Sequence, residues 1–156
     1  KGTIDTLLAI MNYRGGRLKS SEIRSILEIR IALDTLAVQL CIPSITDSDI
    51  ALLSEKIEAI KNAADATEAA GAAFAFQHAF ALVSGNTLMP LIMQSFRPPV
   101  FTLWERFCIL YGIPALYESN YRLWTFIRDR DKEGAIAYIQ SSMDDVIFGK
   151  HQIYFD

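Results

Sequence analysis

The stretch Gly71–Asn86 decides the fold, because it is an apolar helix with a clear end. It reads GAAFAFQHAFALVSGN. Gln77 and His78 form an isolated polar pair within it, and a polar side chain needs a hydrogen-bond partner if it is buried. Gly85 predicts the end of the helix, since glycine tolerates the left-handed turn that follows one. We therefore predict a helix from about Asp65 to Val83 whose polar pair binds protein, water or a ligand.

Helical spacing of apolar residues continues on both sides of this stretch. Ser20 or Ser21 begins a helix that runs to about Cys41, and its wide apolar face predicts a central position. Thr46 and Asp49 have the spacing of a capping box at the start of the next helix. No run of residues alternates as a strand would, and no internal repeat occurs. The sequence therefore predicts an all-α fold, an antiparallel bundle of seven to eight helices.

Composition narrows the possible functions. The chain has 156 residues, is 51% hydrophobic and 21% charged, and carries a net charge of −3, which fits one domain with a sizeable core and leaves no basic footprint for nucleic acid. No apolar run has the length of a membrane span. Cys41 and Cys108 are isolated in apolar surroundings, so we expect buried thiols rather than a disulfide and a cytoplasmic protein.

Motifs of known catalytic sites are absent from the sequence. There is no glycine-rich phosphate loop after a strand, no Cys-x-x-Cys pair and no His-Glu-x-x-His. Only His78 and His151 are available for a metal site or a Ser-His-acid triad, and no serine sits in a nucleophile elbow. We therefore predict no catalytic residues, no cofactor and no enzymatic activity. Two functions remain possible: a helical bundle that holds a ligand in its core, and a bundle that pairs with a second copy of itself.

Several short motifs, taken in order, suggest a family. They are Gly2–Leu8, the Glu-x-Arg and Leu-Asp pieces of Glu28–Asp34, Phe76, the Ser-Gly-Asn of Ser84–Asn86, and Arg128–Ala135. Together the chain resembles the C-terminal effector domain of the FadR group within the GntR family of bacterial transcription regulators.

The resemblance implies a division of the chain. Residues 1–16 are similar to a connector helix from an N-terminal winged helix-turn-helix domain, and residues 17–156 to the effector-binding and dimerisation domain. The sequence begins with Lys1 rather than Met, so we expect a fragment whose DNA-binding domain is missing. The resemblance further implies a homodimer that contacts DNA only through that domain and has no membrane partner.

Many members of the wider group bind a metal with one Asp and three His. The resemblance places these ligands at Ala73, Gln77, Asn120 and Ser142, none of which is a good ligand for a transition metal. We therefore predict no metal. The fatty-acid regulator that gives the group its name shows the same loss and binds a long-chain acyl-CoA, so the resemblance implies an acyl-CoA or another small carboxylated metabolite as effector.

Helical spacing gives these positions a physical interpretation. Residues 73, 77 and 80 share one helix face, as do 120 and 124, and 139 and 142. If the faces converge, they enclose a mostly apolar cavity with neutral hydrogen-bonding groups, and Arg30 adds a charge. The resemblance places Arg30 near the head group of the ligand. The candidate ligand-binding residues are Arg30, Ala73, Gln77, Phe80, Asn120, Trp124 and Ser142.

Each of these residues also has a purely structural interpretation. Arg30 has the spacing to form a salt bridge with Asp34 one turn away. Gln77 and Asn120 are able to satisfy each other in a filled core. The alternative to an effector domain is therefore a structural dimerisation module that binds no ligand.

Overall fold

The computed structural model describes Asp5, Thr6, Ala9 and residues 17–155. Within these residues there are seven helices and no strand, which confirms the all-α prediction. Of the predicted connector helix, Asp5, Thr6 and Ala9 are helical, and the rest lies outside the described residues. The helices are α1 Ser20–Cys41, α2 Asp47–Lys61, α3 Ala66–Val83, α4 Met89–Ser95, α5 Arg97–Tyr111, α6 Ile113–Arg128 and α7 Lys132–Ile147.

Helix α3, rather than α1, has the central position. It packs against α2, α5, α4, α6 and α1, whereas α1 packs mainly against α7. The prediction of a central α1 was wrong because part of its wide apolar face lies on the surface, where Ile29, Leu36 and Leu40 are 45%, 38% and 38% exposed. Alanines such as Ala70 and Ala73, both buried, allow neighbouring helices to approach α3 closely.

Local signals at the helix ends agree with the structure. The Thr46 hydroxyl accepts a hydrogen bond from the backbone N–H of Asp49, and the Asp49 carboxylate accepts one from the N–H of Thr46, both at 3.1 Å. This is the predicted capping box. Gly85 follows α3 with φ of 79°, and Gly112 separates α5 from α6 with φ of 92°. Both glycines have positive φ, which L side chains rarely adopt, so they fix these turns.

We expect Thr46→Ala to lower the free energy of unfolding by about 1 kcal/mol, because the first turn of α2 loses its side-chain acceptor. Urea denaturation measures this change. Thr87→Ala is the control, since Thr87 is an exposed threonine outside the helices, and a surface change of this kind alters stability by less than about 0.5 kcal/mol. Equal effects of the two substitutions would show that the capping box contributes nothing.

The buried side chains form two clusters. One contains Cys108 with residues of α1, α3 and α5 and with Ile153 after α7. The other contains Cys41 with residues of α2, α3 and α6. Both cysteines are buried free thiols, as predicted. Burial and, to a smaller extent, the nearby Asp49 raise the pKa of Cys41 to about 12; burial and Glu105 raise the pKa of Cys108 to about 11.

Candidate functional site

Arg30 and Asp34 form a buried ion pair on α1. The Arg30 Nη2 and Asp34 Oδ2 atoms lie 3.3 Å apart, and the two side chains are only 6% and 4% exposed. Their separation of four residues places them on the same face of the helix. The structure therefore shows the salt bridge that the sequence left open.

The ion pair leaves part of the guanidinium group unsatisfied. Among the described residues, the Arg30 Nε and Nη1 atoms are buried and have no hydrogen-bond partner. The guanidinium also lies over the ring of Trp104, 5.1 Å from its centroid, which favours the cation. Burial raises the pKa of Asp34 above its ordinary value, and the charge and hydrogen bond of Arg30 oppose that rise. The Asp34 carboxylate therefore contacts only one edge of the guanidinium group, and the Nε and Nη1 donors have no acceptor among the described residues.

Gln77 and Asn120 are also paired, but incompletely. The Gln77 Nε2 group donates to Asn120 Oδ1 at 3.1 Å, and Asn120 Nδ2 donates to the Leu116 carbonyl oxygen at 2.8 Å. Gln77 Oε1 is buried without a hydrogen-bond donor in the described part of the chain. The pairing of Gln77 with Asn120, which the sequence suggested, is thus present, and it leaves the Gln77 Oε1 acceptor unused within the described residues.

These two pairs line one small cavity. Its volume, counted as space for the centre of a water-sized sphere, is about 40 Å³. That is room for a few water molecules or one compact polar group. The polar lining residues are Arg30, Asp34, Gln77, Ser119, Asn120, Tyr138 and Ser142. We call this space the inner cavity.

A larger cleft adjoins the inner cavity on the side of α5, α6 and α7. It measures about 380 Å³ by the same criterion and shares five lining residues with the inner cavity: Trp104, Ser119, Tyr138, Ser142 and Met143. Its remaining lining includes the apolar Phe107, the charged Arg122, and the contact between His151 Nδ1 and Asp145 Oδ2. We call this space the outer cleft.

Four of the seven candidate residues come together at the inner cavity: Arg30, Gln77, Asn120 and Ser142. The structure places Ala73, Phe80 and Trp124 elsewhere. Ala73 and Phe80 are each 1% exposed and belong to the two core clusters. The Trp124 indole N–H donates to the Ile50 carbonyl oxygen on α2, at 3.1 Å.

Sequence reasoning did not assign Trp104 and Tyr138 to the site. Trp104 is a buried aromatic residue of the first core cluster, and its ring also lies against Arg30. Tyr138 lies one helical turn before Ser142, and that spacing is the signal that points to it. Its hydroxyl donates to the Ser119 carbonyl oxygen at 2.9 Å, so Tyr138 connects α7 to α6 at the junction of the two spaces.

The residues do not fit the metal centre that many members of the wider group contain. Gln77, Asn120 and Ser142 do line one cavity, but they offer two amides and a hydroxyl, and Ala73 offers no donor atom. The Gln77 amide N–H group is directed to Asn120 instead. Among the described residues, no group of three or more His, Cys, Asp or Glu is placed to hold a metal ion. No step of the function is therefore assigned to a metal.

Comparison with known proteins identifies the domain. A family model described as the FCD domain matches residues 25–145, which includes all of the inner cavity. No curated protein and no solved structure shows a match. In the described part of the chain, none of the helices combines the length and hydropathy needed to cross a membrane.

Proposed function

Because the chain belongs to the FCD domain family, the effector-binding domain of GntR-type transcription regulators, we propose that it binds an acyl-CoA or a small carboxylated metabolite in the bundle core. Ligand occupancy would control DNA binding by a winged helix-turn-helix domain that the connector, residues 1–16, joins to residues 17–156. The role is regulatory rather than catalytic, and the site residues bind and position the effector.

The observation that carries this proposal is the free edge of the Arg30 guanidinium. Among the residues that the structure describes, none accepts a hydrogen bond from Arg30 Nε or Nη1; buried donors without an acceptor cost free energy, and an anionic group that reaches them would remove this penalty. Arginine also matches a carboxylate or phosphate geometrically, since it offers two parallel N–H donors. Arg30 is therefore the residue that recognises the acidic group of the effector.

The remainder of the effector would lie in the outer cleft. Its volume of about 380 Å³ is within the usual range of ligand pockets, and Trp104, Phe107 and Met143 supply apolar surface. A ligand that spans both spaces contacts α1, α3, α5, α6 and α7 together. It would shift the population of domain arrangements to the extent that it binds one of them more tightly.

A homodimer in the cytoplasm is part of the proposal. Helix α1 exposes Ile29, Leu36 and Leu40. Leu88, just before α4, and Leu91 in α4 are 63% and 65% exposed. Exposed apolar side chains on neighbouring elements are typical of protein contact surfaces. The buried free thiols of Cys41 and Cys108 agree with a reducing compartment.

One observation favours the second candidate, a dimerisation module without a ligand. The inner cavity holds only about 40 Å³, and both polar pairs predicted for a filled core are formed. In that case the unpartnered atoms of Arg30 and Gln77 bind trapped water.

Thermal shift of the 156-residue chain separates the two candidates. The ligands are medium- and long-chain acyl-CoAs, free fatty acids and dicarboxylates, with a divalent metal as the control. A ligand present at about 100 times its dissociation constant stabilises by roughly 2.7 kcal/mol, which corresponds to several degrees for a domain of this size.

The matched variants are Arg30→Met/Asp34→Leu, which removes the buried pair as a unit, and Arg24→Met. Arg24 forms an exposed pair with Glu28 at the same spacing on the same helix. We expect the double variant to lose the ligand-induced shift and Arg24→Met to keep it. No shift with any ligand, or the same shift in the double variant, would support the filled-core module.

A further inference from the structure

Residues 149–155, which we call the tail, pack against the domain without being part of a helix. Ile153 is 0% exposed and belongs to the core cluster that contains Cys108. The Arg106 Nη2 group donates to the Tyr154 carbonyl oxygen at 2.9 Å, so a side chain of α5 holds the tail. The path of the tail is therefore fixed by a buried side chain and by hydrogen bonds from its neighbours.

The tail supplies part of the wall of the outer cleft. His151 lines the cleft, and its Nδ1 atom contacts Oδ2 of Asp145, another lining residue. The imidazole ring also lies against the rings of Tyr111 and Phe107, with centroids 4.8 and 5.8 Å away. The Tyr111 hydroxyl donates to the carbonyl oxygen of Gln152, the next residue of the tail. A ligand that fills this side of the cleft therefore contacts the tail directly.

Four residues beyond this cleft contact, the tail meets the start of the domain. The guanidinium groups of Arg17 and Arg106 lie over the ring of Phe155, 5.9 and 4.4 Å from its centroid. Arg17 directly follows the proposed connector, residues 1–16, and the next residue, Leu18, is 3% exposed. Four residues of chain span at most about 14 Å. The tail therefore joins the outer cleft to this point over a short distance.

Coupling between two sites requires an element whose arrangement both sites bias. The docked tail forms part of the cleft wall, so a ligand that contacts this wall binds the docked arrangement more tightly and stabilises it. The docked tail also holds Phe155 against Arg17. We propose that the tail transmits occupancy of the outer cleft to the connector by keeping Arg17 in place. This inference rests on the proposed function and names the element that couples its two parts.

Hydrogen exchange of the 156-residue chain, followed by mass spectrometry, tests the coupling without a ligand. His151→Ala removes the contact in the cleft. We expect the hydrogen-bonded N–H groups of Glu22 and Ile23, in the first turn of α1, to exchange about fivefold or more faster, because the tail opens more often. Gln152→Ala is the matched control, since Gln152 is an exposed tail residue whose carbonyl group the substitution keeps. It should change this exchange by less than about twofold.

Phe155→Leu tests the same coupling from the other direction. We expect the N–H groups of Lys150 and His151, which donate to Asp145, to exchange about fivefold or more faster, because coupling between two sites is reciprocal. The inference is overturned if His151→Ala loosens only the tail and Phe155→Leu leaves Lys150 and His151 as protected as before. Each contact would then act only on its own surroundings.

A bound ligand separates this inference from the proposed function. We expect decanoyl-CoA, one of the acyl-CoAs used for thermal shift, to slow exchange in the first turn of α1 about fivefold or more in the parent chain and not in His151→Ala. If decanoyl-CoA raises Tm but leaves this exchange unchanged, the inference fails and the proposed function stands. If no compound of the thermal-shift series raises Tm while both variants show the coupled changes, the proposed function fails and the coupling through the tail stands.

Discussion

Arg30→Met should lower the free energy of unfolding by about 3–5 kcal/mol at neutral pH, a large effect for one buried ion pair within a single helix. The substitution keeps the length of the side chain but leaves Asp34, which is 3% exposed, without its counter-charge. Removing one partner of a buried ion pair strands the other charge, and this is more damaging than removing both. Urea denaturation of the variant and the parent chain measures the difference.

The deficit should depend on pH with a definite sign. The pKa of Asp34 is already raised by burial, and Arg30 opposes the rise, so the pKa of Asp34 rises further in the variant. A carboxyl with a raised pKa binds more protons in the folded state, so its contribution to stability falls as pH increases through that pKa. The variant therefore loses most stability at pH 8 and recovers part of it at pH 5.

Two controls accompany this prediction. Arg30→Met/Asp34→Leu replaces the pair by apolar side chains and should recover most of the loss, since such replacements are often neutral or stabilising. Arg24→Met removes an exposed pair whose side chains are 51% and 57% exposed, and exposed pairs contribute about 0–1 kcal/mol. If the single and double Arg30 variants were equally unstable at both pH values, the buried charge of Asp34 would not be the cause.

Phe76→Ala should lower the free energy of unfolding by about 3–5 kcal/mol as well, for a different reason. Phe76 is fully buried in the centre of α3, and its ring stacks on Phe80 with the centroids 6.4 Å apart. Truncation removes the apolar contacts and leaves a cavity that the surrounding helices fill only in part. Chemical denaturation with an unchanged slope against denaturant identifies this as a loss of packing.

Leu82→Ala is the matched control on the same helix, because Leu82 is 58% exposed. We expect it to change stability by less than about 0.5 kcal/mol. A comparable loss in both variants would contradict the central position of α3, since it would mean that Leu82 is also buried in the folded chain.

The parts of the fold that sequence predicts well are those that local chemistry determines. The Thr46–Asp49 capping box and the ends of α3 depend on residues within one turn, so their spacing is sufficient. The sequence did not predict the central position of α3, because the width of the apolar face of α1 does not show which part of that face packs against other helices. Small residues in α3 are the better guide, because they decide how closely helices approach.

The candidate site was only partly predictable for a related reason. Helical spacing correctly placed Gln77, Asn120 and Ser142 around one space, because these positions depend on helix phase. Trp124 shares the face of Asn120, yet its long side chain reaches Ile50 on α2. Whether Arg30 pairs with Asp34 one turn away depends on the side-chain conformations of the two residues. In the structure, Arg30 Nη2 pairs with Asp34, while Nε and Nη1 have no partner among the described residues.

The reactivity of the two buried cysteines would report local unfolding in two different parts of the protein. Cys41 and Cys108 belong to different core clusters, and the pKa values of about 12 and about 11 keep both thiols protonated at neutral pH. Only the thiolate reacts with alkylating reagents, so labelling at each site waits for local unfolding. The two labelling rates, resolved by mass spectrometry, would show whether an effector tightens one half of the bundle or the whole of it.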